Sequence, residues 1–260
     1  NPTGRDDRPR HGWRKMPGLD ALSSLQRDSA ARESRIGAGY APPEALAAPP
    51  HRAWREGLRP ALKRALDILG AGALLLLLAP LFLLLALLVR ADGGPAFYAH
   101  RRIGRGGQPF GCLKFRSMVV DSQARLEALL AADPAARAEW EATRKLRRDP
   151  RVTRVGRFLR ASSLDELPQL INVLRGEMSL VGPRPVTQAE LDGYYGAAAA
   201  HYISVRPGIT GLWQVSGRSD TSYAQRVALD VAYVARPSLW RDLAILLRTP
   251  FAVLSRKGAV

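Results

Sequence analysis

The sequence feature that most constrains the fold is an uncharged run of 22 residues that extends from Ile68 to Val89. A straight helix of this length would measure about 33 Å, close to the ~30 Å hydrocarbon thickness of a bilayer. Helices of soluble proteins keep a polar face in nearly every case, and this run has none. The run therefore predicts a helix that inserts into a membrane.

Two further features indicate how the run enters the membrane. Pro80 lies in its middle, where a proline removes a backbone hydrogen bond and kinks a helix. Both flanks are basic, and because cytoplasmic flanks are enriched in Lys and Arg, both ends are expected in the cytoplasm. A re-entrant hairpin with its kink at Ala79 and Pro80 satisfies this expectation, and a single tilted span is the alternative. The basic flanks are Arg59, Lys63 and Arg64 before the run, and Arg90, Arg101, Arg102 and Arg105 after it.

The formal charge of +16 is the second constraint, and only +4 of it falls on the first 60 residues. Nucleic acid, anionic lipid and a phosphorylated small substrate are the partners that suit such a charge. The lone Cys112 excludes an intrachain disulfide. Four scattered histidines, at positions 11, 51, 100 and 201, offer no metal-ligand spacing.

The chain divides into three predicted parts. Residues 1–58 are rich in Arg, Ala, Pro and Gly and are expected to form a disordered or adaptable extension. Residues 59–92 form the membrane helix. Residues 93–260 form a folded domain of the α/β class that is mainly helical.

Local patterns predict the elements of this domain. A strand, a Gly-rich corner at 104–107 and a second strand are expected over residues 96–120. The final helix carries leucines, two aromatic residues and several arginines, a mixture typical of a helix in a membrane interface and also of a core-facing helix. The predicted helices cover residues 121–147 with a break at Asp133-Pro134, 152–160 (helix or turn), 165–175, 186–204, 221–235 and 238–254.

Two adjacent carboxylates, Asp165 and Glu166, follow in the segment S-L-D-E-L-P-Q. Consecutive residues of a helix point about 100° apart, so the two can converge on one ligand only where a helix begins. Pro168 supports this placement, because proline is tolerated in the first turn. The alternative is a structural role, since Ser163 and Glu166 have the spacing of a capping box and Asp165 could complement the helix dipole.

Basic residues in constrained segments favour a phosphate site near this pair. Arg184 is held between two prolines, and guanidinium groups bind phosphate with two hydrogen bonds. Lys114 and Arg116 alternate with Phe115 and are expected on one face of a strand, although a solvated basic face is the alternative. Arg160 and Arg206 lie in comparable Gly-rich, Pro-rich or acidic contexts.

A carboxylate beside several cations can perform two kinds of chemistry. It can ligate Mg²⁺ together with a diphosphate, or it can attack phosphorus as a nucleophile. We expect the neighbouring arginines to lower the pKa of such a carboxylate and keep it ionised at neutral pH.

Over residues 60–260 the chain resembles the bacterial sugar transferases, the monotopic polyprenyl-phosphate phosphoglycosyl transferases. Within this family it is most similar to initiators of exopolysaccharide synthesis that transfer galactose 1-phosphate. The shared motifs are K-R-A-L-D before the apolar run, R-R-I-G-R-G-G-Q-P-F, C-L-K-F-R-S-M, D-P-R-V-T-R-V-G-R-F-L-R, the segment from S-L-D-E-L-P-Q to V-G-P-R-P, and R-P-G-I-T-G-L-W-Q-V-S-G-R.

The resemblance implies a ping-pong reaction on the cytoplasmic face of the bacterial inner membrane. A UDP-sugar donates galactose or glucose 1-phosphate to undecaprenyl phosphate, and UMP is released. Asp165 would be the nucleophile and a ligand of Mg²⁺, and Glu166 would deprotonate or position the lipid phosphate. Arg160, Arg184 and Arg206 match basic positions near the phosphates.

The resemblance also covers the membrane segment. Lys63, Arg64 and Asp67 match a family motif at the start of the membrane helix. Many members carry Ser-Pro at the kink, where this chain has Ala79-Pro80. The lipid bilayer is thus a partner, a homodimer is left open, and nucleic acid is not expected to bind.

Two other functions fit parts of the sequence. A membrane-tethered basic adaptor without enzymatic activity would explain the charge, but it leaves the Gly, Pro and Arg residues around the acidic pair without a role. A transferase that moves the sugar alone would release UDP in place of UMP.

Overall fold

The computed structural model describes residues 58–143, 146–216 and 221–254. Most of them are helical, and two small two-stranded sheets complete the fold. The extension predicted for residues 1–58 lies outside the described residues except for its last position, where the first helix begins. The mainly helical α/β class predicted from the sequence is compatible with this architecture.

The apolar run folds as two helices joined at Leu78. Helix α1 covers Leu58–Leu77 and helix α2 covers Ala79–Arg90, and their axes differ by 66°. The bend follows from Pro80, which sits in the first turn of α2, where its missing N–H is tolerated. No single helix among the described residues is long and apolar enough to cross a membrane, but the bent pair passes that test together.

Both ends of the bent pair are held by the same folded body. Helix α1 packs against a later helix and strand through Ala71 and Leu75 in its second half, and in its first half Asp67 accepts hydrogen bonds from Ser179 and Leu180. Near its end, α2 packs Leu85 and Val89 against Phe115 and Leu159. The segment thus leaves the body and returns to it.

A β-hairpin follows, as the sequence predicts. Strands β1 (Phe97–Ile103) and β2 (Pro109–Phe115) pair in antiparallel register around a 3-10 turn at Arg105–Gly107. Helices α3 (Ser122–Ala132) and α4 (Pro134–Thr143) come next, and they confirm the predicted break at Asp133-Pro134.

Helix α5 (Arg154–Ser162) and helix α6 (Gln169–Arg175) lie on either side of the acidic pair. The prediction of one helix over residues 165–175 is therefore wrong at its start, because a separate 3-10 turn covers Leu164–Glu166. Strand β3 (Ser179–Val181) follows and pairs in parallel with β4 (Gly208–Thr210).

Glycines allow the second sheet to close beside the G-P-R-P corner. A Cβ on Gly182 would lie 2.6 Å from the carbonyl oxygen of Arg206, and one on Gly208 would lie 2.1 Å from the nitrogen of Gly182. The N–H of Gly208 donates to the carbonyl of Pro183 at 2.7 Å. This close crossing fixes the backbone that carries Arg184.

The helix predicted over residues 186–204 is wrong in detail. A helical turn at Gln188–Glu190, a π turn at Leu191–Tyr195 and a 3-10 turn at Gly196–Ala198 precede a short helix α7 (Ala199–Ser204). Gly196 has a φ of 46°, which a continuous helix cannot contain.

Three helices complete the described chain. Helix α8 covers Leu212–Ser216, α9 covers Tyr223–Ala235 and α10 covers Leu239–Leu254. The last two match the predicted C-terminal helices. In α10, Ile245 is buried, whereas Trp240 is 81% exposed and Phe251 75% exposed.

Candidate active site

The acidic pair sits on a turn that the local sequence dictates. Ser163 ends helix α5 in the left-handed conformation with a φ of 58°, and the chain then enters the 3-10 turn that carries Asp165 and Glu166. Pro168 sits at the N-cap of α6. Both carboxylates therefore lie on a turn directly before the regular helix, and not in its first turn as predicted.

The alternative capping role is not what the structure shows. Ser163 makes no side-chain capping bond, and its backbone carbonyl accepts from the N–H of Glu166 at 3.3 Å. The Glu166 carboxylate bonds instead to a lysine on the hairpin. Its side chain is thus available for a role beyond local structure.

Lys114 joins the two carboxylates. Its Nζ lies 2.6 Å from Oε1 of Glu166 and 3.6 Å from Oδ2 of Asp165. The register of the hairpin places Lys114 opposite Tyr98, and His100 and Arg102 follow at alternate positions of the same strand. Paired residues and alternate residues share a face, so one face of the hairpin presents these groups together.

Burial and Lys114 drive the two carboxyl pKa values in opposite directions. Burial raises the pKa of Asp165, whose side chain is 13% exposed; Glu166 adds to the rise, while Lys114 and Arg160 oppose it. Burial is also the largest single effect on the pKa of Glu166 and acts to raise it, but Lys114, Arg184 and Arg102 together lower that pKa. The pKa of Lys114 is raised because both carboxylates outweigh its own burial.

This result corrects one prediction. We expected cations to lower the pKa of Asp165, and that expectation is wrong in direction because loss of hydration is the largest effect at this side chain. A carboxylate with a raised pKa is more basic and a better nucleophile once ionised. Environments that separate two carboxyl pKa values assign the carboxylates different roles.

Two of the predicted arginines lie within electrostatic reach of the pair, one acting on each carboxylate. Arg160 acts on Asp165, and its Nε donates to the Oγ of Ser117 at 2.9 Å. Gly156 makes this possible, because a Cβ there would lie 1.9 Å from the carbonyl oxygen of Ser117. Helix α5 can therefore approach the loop after β2 closely enough for Arg160 to reach it.

Arg184 acts on Glu166 and is positioned by an aromatic ring. Its positive charge contributes to the lowered pKa of Glu166. The guanidinium lies 5.9 Å from the ring centroid of Trp213, and Arg226 lies 4.9 Å from the same ring. Stacking and the two flanking prolines limit the conformations that Arg184 can adopt.

Sequence reasoning missed one neighbour of the site. Arg102 donates to Oε2 of Glu190 at 2.7 Å, and its charge also contributes to the lowered pKa of Glu166. Glu190 completes a capping box with Thr187. The T-Q-A-E spacing could have revealed that cap, but nothing local indicates its partner 88 residues earlier.

The structure gives Arg116 other partners. Its Nη2 donates to the carbonyl of Val89 at 2.9 Å, its Nη1 donates to the carbonyl of Met118 at the same distance, and the guanidinium pairs with Asp92. Arg116 is only 8% exposed. Its hydrogen bonds join the end of α2 to the hairpin. Its predicted contact with substrate phosphate has no counterpart among these bonds.

Arg206 lies with the residues that begin helix α1. Its Nε donates to the carbonyl of Gly176 at 2.6 Å, and it shares a cleft with Lys63, Arg64 and Asp67. It therefore joins the predicted helix-start motif and not the acidic pair.

The helix-start motif anchors α1 to the body. Lys63 pairs with Asp242 at 2.8 Å, and Asp67 accepts from the hydroxyl of Ser179 and the N–H of Leu180, both at 3.0 Å. Arg64 donates to the carbonyls of Val173 and Leu174, which end helix α6. The three residues of the motif thus bond to three different elements of the body.

The acidic pair contains Asp165, the predicted ligand of Mg²⁺. No group of three His, Cys, Asp or Glu side chains in the described part of the chain could hold a metal ion. Mg²⁺ commonly takes one or two carboxylates together with substrate phosphates. The pair carries two negative charges against one ammonium, so it fits an ion that a bound diphosphate helps to hold.

Comparison with known proteins identifies the family of the chain. The family model of the bacterial sugar transferases matches residues 58–256. A "UDP-galactose-lipid carrier transferase" of Erwinia amylovora is 56% identical over 198 residues, which are 76% of this chain and 41% of that protein. An "Exopolysaccharide production protein ExoY" of Rhizobium meliloti is also 56% identical over 198 residues, with 87% of that protein covered.

A third relative names a different sugar. The "UDP-glucose:undecaprenyl-phosphate glucose-1-phosphate transferase" of Caulobacter vibrioides is 46% identical over 206 residues, 76% of this chain and 71% of that protein. The chain spans about two fifths of the length of the first two curated relatives it matches.

Proposed function

The chain belongs to the bacterial sugar transferase family, and we propose that it transfers a sugar 1-phosphate from a UDP-sugar to undecaprenyl phosphate. The observation that carries the proposal is the acidic turn, where Lys114 joins Asp165 and Glu166 and the two carboxyl pKa values move apart. The names of the relatives supply the substrate class, with galactose and glucose as the first donors to test.

The reaction has two displacements at one phosphorus atom. A carboxylate oxygen of Asp165 attacks the phosphorus attached to the sugar, the bond from that phosphorus to the bridging oxygen breaks, and UMP leaves. An oxygen of undecaprenyl phosphate then attacks the same phosphorus. The acyl-phosphate bond breaks, Asp165 regains its carboxylate, and undecaprenyl-diphosphate-sugar is formed.

The surrounding residues stabilise the charges of these steps. Arg160 acts on Asp165 and Arg184 acts on Glu166, and each can bind phosphate oxygens. Glu166 holds Lys114 beside Asp165 and positions or deprotonates the lipid phosphate. Asp165, with the phosphates of the donor, would hold Mg²⁺, which neutralises developing charge on a transferring phosphoryl group.

We propose that α1 and α2 form a re-entrant hairpin, and the two anchored ends support this topology. Lys63 and Asp67 attach the start to the folded body, and Arg116 attaches the end through the carbonyl of Val89. A span would have to place these two ends on opposite sides of the bilayer. One folded body that holds both ends does not allow that.

The dimensions of the bent pair agree with a shallow insertion. The apolar part of α1 and the whole of α2 measure about 15 and 18 Å at 1.5 Å per residue. With a bend of 66° between them, the apex lies about 9 Å below the line that joins their ends. This depth falls within one leaflet of roughly 15 Å. At the bend, Leu76 is 80% exposed and Leu77 is 75% exposed, as lipid contact requires.

The folded body then lies on the cytoplasmic side of a bacterial inner membrane, where UDP-sugars are available. Trp240, Leu243, Leu247 and Phe251 form one exposed stripe of α10, and we propose that this stripe lies in the same interface.

Cysteine labelling tests the topology. Leu58→Cys and Ala91→Cys place thiols at the two ends of the helix pair, and Ala91 avoids the positive φ of Gly93. The native Cys112 is buried and its pKa is raised to about 11, so it should not react. A membrane-impermeant reagent should label both new thiols from the same side and should not reach Leu77→Cys. Labelling of the two ends from opposite sides would overturn the hairpin.

Product analysis tests the reaction. The protein is incubated with Mg²⁺, undecaprenyl phosphate and, separately, UDP-galactose, UDP-glucose and UDP-N-acetylglucosamine. We expect UMP and a lipid-linked diphosphate sugar with one of these donors. Release of UDP would mean transfer of the sugar alone, and lack of any product would favour the adaptor hypothesis.

A further inference from the structure

A second cluster of basic side chains lies away from the acidic pair, in a cleft beside the start of α1. We call it the basic cleft and define it by Lys63, Arg64, Asp67, Arg105, Ser204 and Arg206, which line it. Helix α1, the hairpin corner and the segment before β4 each contribute residues. Several elements thus bring cations to one place.

The charges in the basic cleft do not balance. Lys63 is neutralised by Asp242 at 2.8 Å. Three guanidinium groups remain, those of Arg64, Arg105 and Arg206, and Asp67 is the one carboxylate among the residues that line the cleft. The cleft therefore carries an excess of about two positive charges.

Most of the guanidinium donors in the cleft remain available. Arg64 gives one N–H each to the carbonyls of Val173 and Leu174, and Arg206 gives its Nε–H to Gly176. A guanidinium has five N–H groups, so both retain donors after these bonds. Arg105 is exposed on the hairpin corner, and no described residue accepts a hydrogen bond from its side chain. The backbone bonds hold two of the arginines in place without neutralising them.

The arginines also repel one another. Burial, together with the positive charges of Arg64 and Arg105, lowers the pKa of Arg206. Such a cluster gains stability from an anion that takes several hydrogen bonds at once, and phosphate suits guanidinium forks best.

The surface around the cleft favours a lipid as the source of that phosphate. Pro60, Lys63, Arg64 and Asp67 recur at helical spacing and line the cleft. The exposed leucines at 58, 62, 66 and 69 lie on the opposite face of α1. The uncharged run begins at Ile68, directly after Asp67, so in the topology proposed above a headgroup phosphate in the cleft would lie where α1 enters the membrane.

We propose that the basic cleft binds the phosphate group of an anionic membrane lipid, at a site separate from Asp165 and Glu166. The lipid would fix the start of α1 at the membrane surface and orient the body above it. This role goes beyond the transfer reaction, because it concerns a lipid that is bound and not consumed.

Binding of short-chain lipids to the full chain in a neutral detergent tests the proposal. The probes are dihexanoyl phosphatidylglycerol, dihexanoyl phosphatidylcholine and inorganic phosphate, and calorimetry gives each Kd. Phosphatidylglycerol should bind at least tenfold more tightly than phosphatidylcholine. Arg105→Gln should weaken phosphatidylglycerol about tenfold, the typical effect of one charge-assisted hydrogen bond. Arg105 is exposed and makes no structural bond to a described residue, so this variant should fold.

Matched variants give the proposal its controls. Arg148→Gln removes another exposed arginine that does not line the cleft, and it should leave the Kd within twofold of the wild type. Asp165→Asn should also leave it unchanged, so a failed cleft can be distinguished from a failed transfer mechanism.

Three outcomes decide the proposal. Equal effects of Arg105→Gln and Arg148→Gln, or no effect of either, would overturn the site. Binding of inorganic phosphate but not phosphatidylglycerol, with the same dependence on Arg105, would support a phosphate site and overturn the lipid as its source. Binding of both with that dependence supports the proposal in full.

Discussion

The molecule has two groups of basic side chains, and they differ in what balances their charge. At the acidic turn, Lys114 lies between two carboxylates of the same chain. In the basic cleft, Arg64 and Arg206 bond to backbone carbonyls, which hold a guanidinium without cancelling its charge. In the first group the ammonium is matched by carboxylates of the same chain, and the second group leaves an excess of positive charge for an outside anion.

This difference in charge balance distinguishes a catalytic role for the acidic turn from an anchoring role for the basic cleft. A nucleophile must be a free carboxylate at the moment of attack. The cations near Asp165 therefore have to adjust its pKa without forming a tight ion pair that blocks its oxygens. In the basic cleft no carboxylate is in excess, and the same residue types instead join α1 to helix α6 and strand β3. The arginines of the two groups therefore have different roles, because their hydrogen-bond and ion-pair partners differ.

The largest expected effect comes from Asp165→Asn, which should abolish transfer and leave lipid binding in the basic cleft unchanged. It should lower UMP release at least about 10³-fold, because an amide cannot replace a carboxylate as nucleophile. Asp192→Asn is the matched control, since Asp192 is an exposed aspartate that bonds to Gln188. Steady-state UMP release is the measurement. If Asp165→Asn retains more than a tenth of the wild-type rate, the assignment of the nucleophile is wrong.

A smaller effect is expected from Lys63→Met, which tests whether the Lys63–Asp242 pair at the basic cleft stabilises the fold. The Lys63–Asp242 pair has side chains 14% and 9% exposed, and removal of one partner leaves a buried carboxylate. We expect a loss of about 3 kcal/mol in the free energy of unfolding in neutral detergent. Arg125→Met breaks the exposed pair with Asp121 and should cost less than about 1 kcal/mol. Equal losses would show that the anchor contributes no more than a surface pair.

The smallest effect is a change in pH dependence caused by Lys114→Gln. Asp165 must be ionised to attack, so activity falls as pH drops through its pKa, which burial already raises. Lys114 opposes that rise, and its removal should raise the pKa of Asp165 further and move the acid limb of the pH–rate profile to higher pH. Lys114→Arg keeps the charge and should leave the limb in place. A limb that moves to lower pH, or does not move in Lys114→Gln, would contradict the proposed electrostatics.

Glu166 provides an independent check on the same ammonium through stability. Its pKa is lowered in the folded protein, so its ion pair contributes stability above the ordinary carboxyl range, and this is lost as pH falls through the lowered pKa. The Lys114→Gln variant should lack this component.

The features that the sequence predicted well depend on local signals. Proline at position 80 fixes the bend, Asp133-Pro134 separates two helices, and the Gly-rich corner closes the hairpin. The placement of Asp165 and Glu166 near the start of a helix also followed from Pro168 and from the geometry of a first turn.

The features that the sequence did not predict depend on long-range packing. Arg116 and Arg206 have flexible side chains, and their acceptors at Val89 and Gly176 are remote in sequence. The same holds for Lys63 and Asp242, which are 179 residues apart. The sign of the pKa shift at Asp165 could not be predicted either, because it depends on how deeply the folded chain buries that side chain.

The central claim is that Asp165 carries the phospho-sugar between the two substrates. The most direct test uses the protein with Mg²⁺ and a UDP-sugar labelled in the sugar-linked phosphate, without any lipid acceptor. We predict about one equivalent of UMP per active enzyme and a labelled adduct that peptide mass spectrometry locates at Asp165. Undecaprenyl phosphate added afterwards should transfer the label to the lipid. UMP that forms only when both substrates are present, with no adduct on Asp165, would contradict the account.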